Sequence, residues 1–156
     1  MITVRDAKTP KQIVGRFNME VIQNGDRKAF EELVAPGFIN RSAPPGGSNG
    51  PEGLWNTFHT MLRPALSNLI VTIHDQVSEG GKVVTRKTIA GTHSGRLMEI
   101  APAGRAVAIE VIDIVRIEDG RYVEHWGVNT LPALLAPVAA GLSSPPSRRP
   151  PGAARR

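Results

Sequence analysis

One carboxylate interrupts an otherwise apolar strand pattern. Asp113 lies within Ile109–Ile117, where alternate residues share a face, so its side chain falls among isoleucines and valines. Burying a charge is costly, so this position requires either a partner or a function. An apolar pocket disfavours the charged form, which predicts a general base with a raised pKa. The alternative is a structural carboxylate paired with Arg86 or Arg105.

Two further polar side chains could act together with such a base. His93 lies in the segment Gly91–Gly95, which reads Gly-Thr-His-Ser-Gly, and it could donate a proton to a developing enolate or alkoxide. The alternative is a loop histidine bonded to the backbone. Arg86 could hold a substrate carboxylate or 1,3-dicarbonyl through paired hydrogen bonds. The alternative for Arg86 is a solvated strand face or a surface ion pair.

Aromatic side chains and another histidine are candidates for the wall of a substrate pocket. Trp55 and Phe58 are three residues apart in a predicted helix and share a face, as core residues or as a substrate platform. His125 and Trp126 are neighbours on the last predicted strand, so simple alternation places them on opposite faces. Trp126 is favoured as core or pocket wall, and His125 joins that face only if a bulge changes the alternation.

Metal and thiol chemistry find no support in the sequence. The four histidines are scattered, and no histidine–carboxylate spacing matches a recognised metal motif. The chain contains no cysteine, so it has no thiolate ligand, thiol nucleophile or disulfide.

The positive charge is concentrated at one end of the chain. Of the net charge of +5, four units come from arginines within 143–156, a segment rich in Pro, Ser, Ala and Arg. Such a tail is expected to be disordered, whereas a nucleic-acid surface should be a patch on the fold. The sequence shows no signal peptide and no apolar run of about 18 residues, so we expect a cytoplasmic protein without a nucleic-acid or membrane partner.

The elements that must position these residues are helices first and strands afterwards. Helical spacing predicts three helices: one from Pro10 to Asn24-Gly25, one from the Asp26 cap to Pro36-Gly37, and one from Pro51 to Pro64. Period-two patterns predict the strands, which are Phe38–Arg41, Leu69 to the Gly80-Gly81 turn, Lys82–Thr92, Arg105–Ile117 and Arg121–Asn129. Asp119-Gly120 is a hairpin signal, and Leu131–Leu142 suggests a short helix broken by Pro137.

This order predicts one α+β domain over residues 1–142, followed by the disordered tail 143–156. Helices on one face of a curved, mostly antiparallel sheet make a cone. The interior of such a cone suits a small molecule, because it is concave and apolar with few polar groups.

Several short motifs, in this order and spacing, resemble the SnoaL-like polyketide (ester) cyclases of the nuclear-transport-factor-2-like superfamily. They are Gly50-Pro51-Glu52-Gly53, Leu69–Gly80, Gly91–Gly95, Pro102–Arg105, Ile112-Asp113 and Asp119–Trp126. The resemblance covers about residues 14–135. It implies a cone-shaped α+β barrel, no metal or organic cofactor, and ring closure of an aromatic polyketide by intramolecular aldol condensation. It also suggests a homodimer or higher oligomer formed through the open sheet face.

Two positions depart from the pattern of these cyclases. The family usually has an aspartate acid/base directly after the His-Trp pair, where this chain has Gly127. It often carries a histidine after the first strand, where this chain has Asn40-Arg41. Either Asp113 takes over the proton transfer, or the protein does something else.

The sequence therefore predicts a cofactor-independent cyclase or isomerase that acts on a small hydrophobic polyketide-like substrate. Asp113 would remove an activated C–H proton, while His93, with Arg86, would hydrogen-bond the oxygen as charge develops. The alternative is a non-catalytic small-molecule-binding or dimerisation module of the same fold, which the missing acid at Gly127 supports.

Overall fold

A computed structural model describes residues 9–139 of the chain. Helix α1 (Pro10–Arg16) continues as a π-helical segment (Phe17–Gln23), and α2 (Arg27–Leu33) follows. Helix α3 (Pro51–Asn56) also continues as a π-helical segment (Thr57–Leu62) and ends with the short α4 (Arg63–Ala65). The strands are β1 (Val34–Asn40), β2 (Leu66–Glu79), β3 (Lys82–His93), β4 (Ala106–Glu118) and β5 (Arg121–Asn129), and α5 (Leu131–Ala139) closes the described part.

Side-chain caps set the starts of the first two helices, as the sequence predicts. Thr9 and Gln12 form a reciprocal capping box ahead of Pro10, which satisfies backbone donors that a helix start leaves free. The Asp26 side chain accepts a hydrogen bond from the Ala29 N–H at 3.1 Å. The chain between these helices turns at Gly25, whose φ of +69° lies in the region that favours glycine.

The five strands form one curved sheet in the order β1-β5-β4-β3-β2. Strand β1 runs parallel to β5, and every other neighbouring pair is antiparallel. Asp119 and Gly120 both have positive φ, which is the geometry of the tight turn predicted between β4 and β5. The sheet is not closed, because β1 and β2 are its two edges, so the predicted cone is an open half-barrel.

One face of the sheet, here called the inner face, packs against the helices and forms the core. The odd-numbered residues of β3 and β4 point to this face, including Val83, Ile89, Ile109 and Val115. They pack against apolar side chains of the helices, among them Phe17, which follows α1, and Leu54 of α3. The opposite face, here called the outer face, is not covered by any described element.

A bulge in β5 decides which of its residues face inward. Ile117 pairs with Tyr122 and Arg116 pairs with Glu124, so Val123 is the extra residue. The shift lets Tyr122 and His125 both share the inner face with the odd residues of β4. Trp126 therefore points to the outer face, which corrects the prediction that Trp126 is a core or pocket wall.

Element ends differ from the sequence prediction at proline and glycine positions. Pro36-Gly37 does not end a helix but lies inside β1, because α2 already stops at Leu33. The third helix passes Pro64 and ends at Ala65. Helix α5 runs through position 137 to Ala139, while residues 140–142 and the predicted tail lie outside the described part.

Candidate active site

Asp113 is buried on the inner face, in contact with the side chains of Lys87 and His125. The register pairs it with Thr85 of β3 and Gly127 of β5. Its Oδ2 lies 3.2 Å from Lys87 Nζ and 3.5 Å from His125 Nε2. Its Oδ1 is also buried but finds no hydrogen-bond partner within residues 9–139. One carboxylate oxygen is thus held by Lys87 and His125, and the other is free to accept a proton.

The electrostatics of Asp113 differ from the sequence prediction. Burial raises the pKa of its carboxyl, but Lys87 and His125 together outweigh that effect and hold the pKa below its ordinary value. The predicted raised pKa is therefore wrong, because the apolar strand pattern does not reveal Lys87 and His125 on the neighbouring strands. The pairing predicted as the alternative exists, but its cation is Lys87 instead of Arg86 or Arg105.

His125 is held between Asp113 and the end of β1. Its Nδ1 lies 2.9 Å from Oδ1 of Asn40, and the same oxygen accepts the Ser42 N–H at 3.0 Å. Since Asn40 Oδ1 is an acceptor for Ser42, it is an acceptor for His125 as well, and Nδ1 carries a proton. Nε2 faces Oδ2 of Asp113 at 3.5 Å, so a proton on Nε2 would be directed at the carboxylate.

Gly127 provides the space in which this pair meets. A Cβ at this position would lie 3.0 Å from Cε1 and 3.1 Å from Nε2 of His125, and 3.3 Å from Cβ of Asp113. Its N–H is bound by Ser42 Oγ at 2.8 Å. The residue that follows His-Trp therefore lies directly across the strand pair from Asp113. The resemblance predicts an acid at 127; here a carboxylate comes from the opposite residue of β4.

Two members of this cluster are absent from the sequence prediction. Lys87 is buried on the inner face of β3, where its Nζ lies 2.6 Å from Oδ1 of Asn18. Asn18 is buried in the first π-helical segment, and its Nδ2 donates to the Val14 carbonyl at 2.8 Å. Lys87 alternates with Val83, Thr85 and Ile89, so the period-two pattern that identifies Asp113 could have identified it too.

His93 lies far from Asp113. It pairs with Leu66 at the start of β2, eight positions along β3 from Thr85, the neighbour of Asp113. At about 3.3 Å per residue this is ~26 Å along the strand. The side chain is buried, its Nε2 finds no partner among the described residues, and its backbone binds Arg105 and Gly104. The structure does not bring the two predicted catalytic residues together, and His125 takes the place next to Asp113.

Arg86 and Trp126 lie on the outer face, away from Asp113. Arg86 Nε binds Asp75 Oδ2 at 2.6 Å, and its side chain is 52 % exposed. The Lys82 ammonium lies 5.5 Å from the centre of the Trp126 ring. Both residues are assigned to substrate binding by the sequence prediction. Arg86 is an even-numbered residue of β3, and the even-numbered residues of that strand face outward. Trp126 faces outward because of the bulge in β5.

The two predicted pocket aromatics have different surroundings. Trp55 packs between helices α2 and α3, with its ring 5.2 Å from that of Phe30, so it lies in the core. Phe58 packs edge-on against Phe17 at 6.2 Å, and Phe17 stacks on Tyr122 at 4.3 Å. Burial raises the pKa of Tyr122 well above its ordinary value, and the charge of Asp113 adds to this. Phe58 thus belongs to the aromatic group that extends towards Asp113.

Two surface depressions, of about 380 and 490 Å³, lie at the Ile70–Ala90–Ala108 end of the outer face and beside Glu118–Arg121, and neither is lined by Asp113. The His125 side chain, at 20 % exposed, lies closer to solvent than the Asp113 side chain, at 6 %. Residues 9–139 contain no cluster of three or more His, Asp or Glu placed to hold a metal ion. No helix within them is long and apolar enough to cross a membrane.

Comparison with known proteins agrees with this fold. The family model of SnoaL-like polyketide cyclases matches residues 12–136. TsrD from Streptomyces laurentii is 28% identical, with a TM-score of 0.72 over 83% of this chain and 94% of that one. IdmH from Streptomyces antibioticus, a proposed polyketide cyclase, is 27% identical, with a TM-score of 0.69 over 85% and 99%. No protein with a curated description matches the chain.

The chain therefore belongs to the SnoaL-like polyketide cyclase family, within the nuclear-transport-factor-2-like superfamily. The resemblance stated from the sequence motifs is confirmed. The family includes cyclases that act on small polyketides, and it defines the class of chemistry for which the Asp113 cluster must be considered.

Proposed function

We propose that this protein is a cofactor-independent cyclase that closes a ring in a polyketide-like carbonyl compound, with Asp113 and His125 as its acid/base pair. The observation that carries the proposal is the buried Asp113 carboxylate with one free oxygen. Oδ2 is held by Lys87 and His125, whereas Oδ1 has no partner among the described residues. A fixed, desolvated acceptor of this kind suits removal of an activated C–H proton.

With a proton on His125 Nε2 at the start, the pair can complete an aldol-type closure without another reagent. Asp113 Oδ1 takes the proton from the carbon that lies between two carbonyls. The enolate carbon then attacks a further carbonyl elsewhere in the same molecule. His125 gives its Nε2 proton to the alkoxide oxygen that forms. The proton on Asp113 then passes to His125, so the pair returns to its starting state. The 3.5 Å separation of Nε2 and Oδ2 is longer than an ordinary hydrogen bond, so a proton on Nε2 remains available to a substrate oxygen.

A non-catalytic binding module is the second candidate, and the Lys87 contact favours it. A carboxylate whose pKa is held low is a weaker base than the sequence predicts. In that case the cluster would serve as a buried ion pair beneath a ligand. The two candidates differ in whether Asp113 is needed for turnover or only for folding and affinity.

Turnover of a ketoester probe distinguishes the two candidates. The probe is an aromatic 1,3-ketoester with a second ketone in reach for ring closure, followed by mass spectrometry in D₂O. We expect wild type to exchange the activated C–H and to form the cyclic isomer. Asp113→Asn should lower kcat by about 10²–10⁴-fold, whereas Arg86→Ala on the outer face should turn over like wild type. Retained turnover in Asp113→Asn overturns the assignment; binding without exchange in wild type supports the module.

The outer face supports the further proposal of a homo-oligomer. Five apolar side chains are more than a third exposed on this face: Ile70, Val77, Val84, Ile112 and Val128. Exposed apolar patches on soluble domains commonly mark contacts between proteins. A second copy would cover them while leaving the inner face and Asp113 in place.

A further inference from the structure

Lys87 is the most deeply buried cation in the described chain. Its side chain is only 4 % exposed, and its Nζ has two acceptors, Oδ2 of Asp113 and Oδ1 of Asn18. An ammonium that leaves water at such cost is stable only when it is paired and hydrogen-bonded. The odd place of Lys87 in β3 puts it on the inner face, where an apolar side chain would pack without that cost. Its presence therefore calls for a role.

Asn18 fixes the position of the ammonium from the helix side. Its Nδ2 donates to the Val14 carbonyl at 2.8 Å, so the other end of the amide presents its oxygen to Lys87. That oxygen is neutral and adds no charge of its own. Lys87 is thus anchored by a neutral acceptor, and its full positive charge acts on Asp113.

The groups that face the carboxylate come from every strand around it. Lys87 approaches from β3, while His125 and the neutral phenol of Tyr122 lie on β5. Lys87 Nζ and His125 Nε2 approach the same oxygen, Oδ2. The Lys87 ammonium, 3.2 Å from Oδ2, favours the ionised form of Asp113.

We infer that Lys87 is a positioning residue that keeps the Asp113 carboxyl ionised, so that Asp113 is ready to accept a proton from the substrate. This inference rests on the proposed function, since it assigns to Lys87 the ionised state in which the base begins its cycle. Removal of the positive charge makes Asp113 easier to protonate, so the base is already occupied at a higher pH than in wild type.

The test follows each group separately in the full chain by NMR. Aspartate carboxyl carbons and histidine nitrogens are labelled, and the Asp113 and His125 signals are recorded against pH. The variants are Lys87→Met and Asn18→Asp, with Lys82→Met as the matched control. Lys82 is also a β3 lysine, but its ammonium lies over the Trp126 ring on the outer face. Asn18→Asp keeps the shape of the side chain and adds a competing carboxylate 2.6 Å from Nζ, so it serves if Lys87→Met does not fold.

We expect the titration midpoint of Asp113 to rise by about one pH unit or more in Lys87→Met and in Asn18→Asp, the usual effect of an opposite charge at this distance. Lys82→Met should leave it in place. If wild type turns over the ketoester probe, the acidic limb of kcat/KM should move up by the same amount. A midpoint that is unchanged or lower in both variants overturns the inference. Shifted midpoints in a protein without turnover overturn the proposed function alone.

Discussion

Gly127 is predicted to be intolerant of even one added methyl group. An ideal Cβ there would lie 3.0 Å from His125 Cε1, 3.1 Å from His125 Nε2 and 3.3 Å from Asp113 Cβ. Favourable carbon contacts lie at about 3.5–4.0 Å, so all three contacts are too short. The φ of Gly127 is not positive, so the backbone itself accepts alanine. Overpacking of a core typically costs about 1–3 kcal/mol, and we expect Gly127→Ala to lose that much unfolding free energy.

The assay is urea unfolding at neutral pH, with Gly37→Ala as the matched control. Gly37 also lies in a strand, but nothing stands within 4 Å of its ideal Cβ, and it is exposed. We expect Gly37→Ala to stay within about 0.5 kcal/mol of wild type, as surface substitutions usually do. The two glycines thus differ in what their Cβ would meet.

A double-mutant cycle identifies the side chain responsible for the cost. Two of the three nearest atoms belong to the His125 ring, so His125→Ala should remove most of the effect of Gly127→Ala. The coupling free energy should lie between about 0.5 and 3 kcal/mol, as for residues in contact. Equal stability of Gly127→Ala, Gly37→Ala and wild type would refute the close approach of Asp113, His125 and Gly127.

Three further predictions concern charge and the outer face. The pKa of Asp113 is held below its ordinary value, so its ion pair with Lys87 stabilises the fold above about pH 4. This contribution disappears as the pH falls through the folded-state pKa. The unfolding free energies of wild type and Asp113→Asn, measured in urea, should therefore converge in acid. Arg86→Ala should change the unfolding free energy by less than about 1 kcal/mol, because the ion pair of Arg86 with Asp75 is exposed. A larger loss would show that this ion pair is shielded from solvent on the outer face. Val128→Glu places a charge on the most exposed apolar side chain of that face, so light scattering should report a smaller species than wild type; an unchanged mass would exclude this surface as the contact.

Local sequence signals account for much of the fold. The Thr9 capping box, the Asp26 cap and the Asp119-Gly120 turn are confirmed, because each depends on side chains and backbone angles within a few residues. The π-helical segments carry no comparable signal. Pro36-Gly37 illustrates the limit of breaker residues, since both fit an edge strand as well as a helix end.

The candidate site shows where alternation succeeds and where it stops. Alternation along one strand identifies Asp113 as an inward carboxylate, and it applies equally to Lys87. It says nothing about distance between strands, which depends on register. His93 and His125 are both plausible partners in the sequence, but only pairing across the sheet separates the distant one from the one in contact. The bulge at Val123, which turns His125 inward, has no marker in its own sequence.

The pairing of Asp113 with Gly127 means that one place on the inner face corresponds to two positions in the sequence. A carboxylate can enter that space from either strand of the hairpin, provided that the opposite residue is small enough to leave room. Two substitutions could therefore move an acid from one strand to the other without moving the backbone. A sequence alignment of such chains would show the loss of an acid at one position and an unrelated gain at another. In the folded protein, the same region of space keeps its negative charge.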